Sequence, residues 1–350
     1  MATVSILLLL LAAELLLRVY HRHTMRQRLP TELREETRAL TWDEIKDKYR
    51  IVCFGDSITF GEDLPCEQAY PAVVADLLRQ GYADKGVTYE GDAREKGTHE
   101  GYAQRKGTHQ GCPYDVVVVN AGICGHTSVQ GLARLERDVL WYKPHVVLIS
   151  FGLNDGKLGY WPLDPLRERQ MHGERNLGGR VDAWLSHSHL WLTLRARTRR
   201  LLRTLGWHVQ PAEIRIEGEP QPRVSHQGFG LAQERIVDHI RKNGGTALLL
   251  TTTTPVTEAF NAELGPAQHQ RQLSIYDEYN RIIRDVASKR GVHLVDLHAI
   301  FTNHARAELA SLLAEDGVHL TSAGERLVAL SVLQALEESG LPGNEAYPWR

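Results

Sequence analysis

Apolar runs alternate with segments of helical periodicity from about residue 41 toward the C-terminus. Five of these runs are continuously apolar and rich in β-branched residues, which indicates strands buried on both faces of a parallel sheet. The predicted strands cover 49–54, 114–120, 144–151, 246–252 and 292–297. The helices predicted from apolar residues at helical spacing cover 69–81, 129–142, 276–290 and 322–339. This alternation predicts a three-layer α/β/α sandwich with a five-stranded parallel sheet.

The N-terminal residues 1–28 are expected to form a membrane anchor with a basic flank. Residues 2–17 are apolar apart from Glu14, and four arginines follow between residues 18 and 28. A membrane span needs about 20 apolar residues, so this run predicts a short or tilted transmembrane helix. An amphipathic helix lying on the membrane or on the domain gives the same pattern. The positive-inside rule favours the cytoplasmic side for the rest of the chain, but one short segment does not decide the side.

The main domain is predicted to span residues 41–340, with two insertions. The first, 82–113, is polar and Gly-rich and contains the near-repeat AREKGTHEG and AQRKGTHQG, which predicts an exposed loop. The second, 156–233, mixes arginines with apolar residues such as Trp191 and Leu202. This pattern fits three alternatives. The segment is a lid that covers the ligand site, a helix that lies in a membrane interface, or a packed helix whose arginine face is exposed to solvent.

Composition narrows the class of protein. The chain has 350 residues, of which 42% are hydrophobic, so it can bury a sizeable core. Its 41 basic and 43 acidic side chains give a net charge of -2, which argues against a general nucleic-acid binder. The 4 cysteines show no CxxC spacing, which excludes a zinc ribbon and a thioredoxin-like redox pair. The 17 histidines show no HExxH or comparable spacing, so neither a metal site nor a cofactor is expected.

Four short polar stretches carry the candidate chemistry. Three of them follow predicted strands, and the carboxyl ends of parallel strands meet at one edge of an open α/β sheet, where ligands bind. Each stretch taken alone is also ordinary turn or helix-cap sequence. The convergence of these three stretches, together with the presence of the fourth, predicts a catalytic site because all the required roles are filled. The stretches are Gly55–Ser57, Asn120–Thr127, Gly152–Asp155 and Asp316–His319.

The first and last stretches resemble the blocks that carry the nucleophile and the base in the SGNH hydrolases, also called the GDSL esterase/lipase superfamily. Gly-Asp-Ser ending at Ser57 is similar to the first block, and Asp-Gly-Val-His ending at His319 is similar to the last. A serine hydroxyl is a poor nucleophile until a base removes its proton, and imidazole titrates near neutral pH. Asp316 lies three residues before His319 and is placed to fix the tautomer of that imidazole. The resemblance therefore implies the catalytic triad Ser57, Asp316 and His319.

The two middle stretches resemble the family blocks that bind the oxyanion of the tetrahedral intermediate. The resemblance assigns one backbone N–H donor to Gly125, or to Gly122 if the register is shifted. It assigns a side-chain amide donor to Asn154, and the N–H of Ser57 is the third donor. A glycine suits this role because it lets substrate approach the backbone with no Cβ in the way. Loss of one such donor typically costs about 3–4 kcal/mol of transition-state stabilisation.

The resemblance covers about residues 50–340 and carries expectations for the whole protein. It implies a flavodoxin-like SGNH fold with sheet order 2-1-3-4-5. It also implies a serine esterase or lipase that cleaves a lipid, acyl or acetylated-glycan ester through an acyl-Ser57 intermediate without metal or cofactor. An O-acyltransferase uses the same site, and a non-catalytic scaffold on a hydrolase fold is the alternative from another class. The expected partners are the ester substrate and a membrane, with no nucleic acid.

Overall fold

The centre of the fold is a parallel sheet of five strands. The computed structural model describes residues 32–79, 115–159, 219–253, 265–304 and 306–341. Within these ranges the strands are β1 Tyr49–Gly55, β2 Val116–Gly122, β3 Val146–Ser150, β4 Leu158–Gly159, β5 Gln221–Pro222, β6 Thr246–Leu250 and β7 His293–Val295. The order in the large sheet is β2-β1-β3-β6-β7, and every neighbouring pair is parallel. When only these five strands are counted, the order is 2-1-3-4-5, as the resemblance implied.

Helices cover both faces of this sheet. The described helices are α1 Glu35–Ala39, α2 Trp42–Ile45, α3 Ser57–Phe60, α4 Tyr70–Arg79, α5 Ser128–Asp138, α6 Leu153–Gly156, α7 His226–Lys242, α8 Gly265–Arg290, α9 Leu297–Thr302, α10 Arg306–Leu312 and α11 Ser322–Glu338. Short 3-10 turns lie at Cys66–Gln68 and Leu140–Tyr142. The predicted helix over 129–142 therefore consists of α5 followed by the second of these turns.

The strands are buried on both faces because successive side chains of a strand point to opposite sides. In β1, Ile51 and Cys53 belong to one hydrophobic cluster, whereas Val52 and Phe54 belong to the other. All four side chains are fully buried. Helices α4 and α11 contribute to the first cluster, and α5 and α7 contribute to the second. This arrangement confirms the predicted α/β/α sandwich.

Helix α8 is longer than its apolar pattern indicates. It begins at Gly265, whereas the sequence predicted a start at Tyr276. Gln272 is fully buried in its first half, where it donates to the Gly156 carbonyl oxygen at 2.7 Å and accepts from the Leu158 N–H at 2.7 Å. Apolar periodicity does not reveal a helix face that binds the backbone of a loop, so this half of the helix was missed.

Helix α7 lies partly in the segment predicted as the second insertion, 156–233. Ser225 caps the helix by accepting from the Gly228 N–H at 3.1 Å, and Phe229 and Ile236 are fully buried. Before it, β5 pairs in antiparallel fashion with β4. The core therefore resumes before residue 233, because an amphipathic helix of the second layer follows β5.

Three predicted features lie outside the described residues. These features are the anchor over 1–28, the loop over 82–113 and the lid residues Trp191 and Leu202. Among the helices of the described ranges, none is long and apolar enough to cross a membrane. Membrane attachment, the exposed loop and the lid thus stay predictions.

Candidate active site

Ser57 lies at the carboxyl end of β1, where the strand turns into helix α3. Gly55 ends the strand, and a Cβ atom there would lie 2.5 Å from the Ser150 carbonyl oxygen, so only glycine fits. Asp56 caps the helix by accepting from the Ile58 N–H at 3.1 Å. Ser57 is the first residue of the helix, so its own N–H has no acceptor within the helix. The local sequence thus places the hydroxyl and the N–H of Ser57 at the edge of the sheet.

The structure brings Ser57, His319 and Asp316 into one chain of hydrogen bonds. His319 Nε2 lies 2.9 Å from Ser57 Oγ, and His319 Nδ1 lies 2.5 Å from Asp316 Oδ2. Asp316 Oδ1 accepts from the N–H groups of Val318 at 2.9 Å and of His319 at 3.0 Å. Partial burial acts to raise the pKa of Asp316, but these hydrogen bonds hold that pKa below its ordinary value. Asp316 is therefore ionised at neutral pH and accepts a hydrogen bond from Nδ1.

Backbone contacts fix the loop that carries His319. The Ala314 N–H donates to the His319 carbonyl oxygen at 2.7 Å, and Leu313 and Leu320 form an antiparallel bridge across the loop. At the tip, Gly317 has a φ of 71°, a left-handed conformation that favours glycine. The Asp-Gly-Val-His sequence therefore forms a tight turn that holds the imidazole toward β1.

Asn154 lies just beyond β3, in helix α6. The turn before it needs a glycine, because Gly152 has a φ of 145° and a Cβ there would lie 2.7 Å from Thr252 Cγ2. Asn154 Nδ2 donates to Asp56 Oδ2 at 3.3 Å, which brings the amide beside the residue that precedes Ser57. Burial raises the pKa of Asp56 to about 6, although hydrogen bonds from Ile58 and Asn154 oppose this shift. From the sequence, Asp56 was only a motif residue.

The two glycines considered as the backbone donor lie in different surroundings. Gly122 ends β2, its N–H donates to Asn120 Oδ1 at 3.0 Å, and a Cβ there would collide with the backbone of Phe60. Gly122 thus serves the packing of β2 against α3, and its N–H is already bonded. Gly125 has a φ of 73°, and a Cβ there would meet no atom within 4 Å in the described part of the chain. The geometry therefore favours Gly125 over Gly122 as the candidate donor.

Asp155 ties the Asn154 turn to helix α5. It is fully buried, and its carboxyl accepts from the Ser128 N–H at 2.9 Å and from the Ser128 hydroxyl at 2.5 Å. Burial raises the pKa of Asp155 to about 7, in spite of both hydrogen bonds. In the family block the residue looked like part of a turn. The structure shows a buried link between the third and second stretches.

Two charged residues that the sequence motifs do not single out also reach this site. Arg223 Nη1 donates to the Gly125 carbonyl oxygen at 2.9 Å and to Asn154 Oδ1 at 3.5 Å. Glu62 Oε2 lies 3.0 Å from His319 Nε2. Glu62 follows Ser57 by five residues, which was the available signal for its position. Nothing in the sequence places Arg223 near the other stretches, because only the tertiary fold brings it there.

The described part of the chain holds no group of three or more His, Cys, Asp or Glu side chains arranged to bind a metal ion. The site consists instead of a hydroxyl, an imidazole, a carboxylate and amide donors. Such a set suits removal of a proton from Ser57 and stabilisation of an oxyanion.

A family model places this chain in a known family. The model of the GDSL-like Lipase/Acylhydrolase family matches residues 88–327, which is more than half of the 350 residues, so the chain belongs to that family. The matched range contains Asn154, Asp316 and His319, whereas Ser57 lies before it. Membership confirms the resemblance to the SGNH hydrolases.

Curated relatives and solved structures give more distant matches. An arylesterase of Vibrio mimicus is 29% identical over 114 residues, which is 32% of this chain and 41% of the relative. An acetylxylan esterase of Xylanibacter ruminicola is 24% identical over 294 residues, which is 83% of this chain and 44% of the relative. The chain thus spans less than half the length of these two relatives. A solved lipase/acylhydrolase from Enterococcus faecalis is similar with a TM-score of 0.47 and 19% identity, over 83% of this chain and 96% of that chain.

Proposed function

We propose that this protein hydrolyses a carboxylic ester through a covalent acyl-Ser57 intermediate. The observation that carries the proposal is the hydrogen-bonded chain from Ser57 Oγ through His319 to Asp316. In this chain Ser57 is the nucleophile, His319 is the general base and Asp316 orients the imidazole and stabilises its protonated form.

The reaction proceeds in two displacements. Ser57 Oγ forms a bond to the ester carbonyl carbon while its proton passes to His319 Nε2, and the carbonyl π electrons move onto the oxygen. When the intermediate collapses, the bond to the alcohol breaks and the leaving oxygen takes the proton from Nε2. Water then attacks the acyl group in the same way, and the proton that His319 removes from it returns to Ser57 Oγ as the acid departs.

The oxyanion forms next to the three candidate donors, the N–H groups of Ser57 and Gly125 and the amide of Asn154. Arg223 contributes through two of them, because it bonds the Gly125 carbonyl oxygen and Asn154 Oδ1. With Oδ1 facing Arg223 at 3.5 Å, the N–H groups of the Asn154 amide lie at its other end, where Nδ2 donates to Asp56 Oδ2. Preorganised donors of this kind often supply the largest single contribution to catalysis.

The names of two relatives supply substrate classes to test on this protein. One relative is an arylesterase and another is an acetylxylan esterase. An aryl or sugar acetate is therefore the first substrate class to test.

Because β4 and β5 pair with each other, the described residues on either side of 160–218 lie close together. The lid predicted within residues 156–233 is part of the proposal, together with attachment to a membrane through residues 1–28.

Steady-state hydrolysis of p-nitrophenyl acetate tests the proposal. Wild-type protein is expected to turn the ester over, and Ser57→Ala is expected to lose all but a residual rate. Ser288→Ala, which replaces an exposed serine of α8, is the matched control and should behave like wild type. Equal activity of wild type and Ser57→Ala would contradict the assignment of Ser57.

A further inference from the structure

A second carboxylate contacts the base of the candidate triad. Glu62 Oε2 lies 3.0 Å from His319 Nε2, the same nitrogen that faces Ser57 Oγ at 2.9 Å. The two side chains are partly enclosed, with 37% of Glu62 and 19% of His319 exposed. Glu62 thus approaches His319 from the side opposite Asp316, which bonds Nδ1.

Glu62 is held in this position from several directions. Its own N–H donates to the Ser57 carbonyl oxygen at 3.1 Å. Arg34 clamps the surrounding turn by donating to the carbonyl oxygens of Gly61 at 2.6 Å and Leu64 at 3.0 Å. The Cys124 thiol bonds the Glu62 carboxylate, and burial together with the Glu62 charge raises the pKa of that thiol to about 12. Cys124 therefore stays protonated and donates to Glu62, which keeps the carboxylate aimed at the imidazole.

The chemistry of this contact depends on whether His319 Nε2 carries a proton. A neutral imidazole that donates from Nδ1 to Asp316 presents a lone pair at Nε2, and an ionised carboxylate repels that lone pair. A protonated imidazole presents an N–H at Nε2, which Glu62 and Ser57 Oγ can both accept. At Nε2, the Glu62 carboxylate can therefore accept a hydrogen bond only from the imidazolium form of His319.

We propose that Glu62 is a positioning residue that stabilises the imidazolium form of His319 where that form occurs, in the free enzyme at low pH and in the transition state. This inference rests on the proposed function, because it requires His319 to be the general base. The charged or titratable groups that face the imidazole are Asp316 from its own turn, Glu62 after α3 and Asp56 at the end of β1. Cys124, after β2, faces Glu62 and remains neutral.

The pH dependence of kcat/KM follows from a thermodynamic cycle. Well below the midpoint of the acid limb, both the free enzyme and the transition state hold a protonated His319, so the effect of Glu62 cancels. On the plateau, the free enzyme holds a neutral His319 and the transition state a protonated one, so the effect appears in full. Loss of Glu62 must therefore lower the plateau value of kcat/KM by some factor and shift the midpoint of the pH profile to lower pH by the logarithm of the same factor.

The experiment compares kcat/KM of wild type and Glu62→Gln on p-nitrophenyl acetate between about pH 5 and 8. An opposite charge at this distance from a partly exposed group predicts a midpoint shift of about 0.5 pH unit, which equals roughly a threefold lower plateau. The two curves should converge at the acid end. Glu62→Asp retains the charge at a greater distance and should fall between them.

Asp63→Asn is the matched control, because it removes an exposed negative charge from the same turn and asparagine tolerates its φ of 63°. Its profile should overlay that of wild type. A uniform drop at all pH values in Glu62→Gln would show a merely structural role and overturn the inference, as would an unchanged profile. Either of these two results leaves the proposed function intact. Full activity of Ser57→Ala, in contrast, would contradict the proposed function on which this inference rests.

Discussion

The amide of Asn154 offers a direct test of how the site stabilises charge. Asn154→Ala removes the side-chain donor while leaving Ser57, His319 and the backbone donors in place. The Nδ2 contact to Asp56 Oδ2 is long, at 3.3 Å, so the amide is only weakly engaged by protein and is available to an oxyanion. Removal of one such donor is expected to cost about 3–4 kcal/mol of transition-state stabilisation, or roughly a hundred- to thousandfold in kcat.

The same substitution also affects Asp56. That carboxyl is buried and loses one of its hydrogen-bond donors, so we expect a loss of about 1 kcal/mol in the free energy of unfolding. This loss is small against the kinetic effect, and the two are separated by measuring unfolding and turnover on the same preparation.

The assay is kcat and KM on p-nitrophenyl acetate, measured in a variant shown to be folded by thermal unfolding. An interaction made only in the transition state lowers kcat and leaves KM nearly unchanged. Asn303→Ala, which removes an exposed amide after α9, is the matched control and should retain full activity. A loss of less than about threefold in kcat of Asn154→Ala would refute the oxyanion role.

Three further predictions concern stability, attachment and access. Burial raises the pKa of Glu325 to about 8 from its ordinary 4.5, so protonation of this carboxyl stabilises the folded state. This stabilisation is present in full below about pH 4.5 and is lost as the pH rises to about 8. Between pH 7 and 8, the free energy of unfolding of wild type should therefore fall more steeply with pH than that of Glu325→Gln, by up to about 1.4 kcal/mol per pH unit. Urea unfolding at several pH values measures this difference, and the same pH dependence in both proteins would contradict it. Full-length protein should sediment with membranes and resist alkaline carbonate, whereas removal of residues 1–28 should release it; a full-length protein that is soluble without detergent would count against the anchor. Trp191→Ala should raise KM on long-chain or anionic esters more than it lowers kcat, and spare acetyl esters, whereas equal loss of kcat on every ester would count against a lid.

The main sheet was predictable because its strands are buried on both faces. Ile51, Val52, Cys53 and Phe54 are all fully buried, and a continuous apolar run of this length is typical of a strand between two helix layers. The first half of α8 was not predictable in this way. Gln272 is buried there because it bonds loop backbone at Gly156, and a polar residue with a partner in a distant segment leaves no periodic signal.

The candidate site also contains residues that the sequence predicts and residues that only the folded structure reveals. Ser57 and Asn154 follow predicted strands, so their convergence followed from parallel-sheet geometry, whereas His319 was assigned through the family resemblance of its motif. Arg223 and Glu62 reach the site through contacts with Gly125 and His319 that only the folded chain creates. The choice between Gly122 and Gly125 likewise depended on hydrogen bonding that the motif does not encode.

The covalent state of Ser57 is the most direct test of the proposed mechanism. Full-length protein is treated with a fluorophosphonate, digested, and analysed by mass spectrometry, with Ser57→Ala treated in parallel. We expect one phosphonylated peptide that contains Ser57, loss of esterase activity in step with labelling, and no label on the variant. Labelling of another serine, with full activity retained in Ser57→Ala, would contradict the proposed nucleophile and the mechanism built on it.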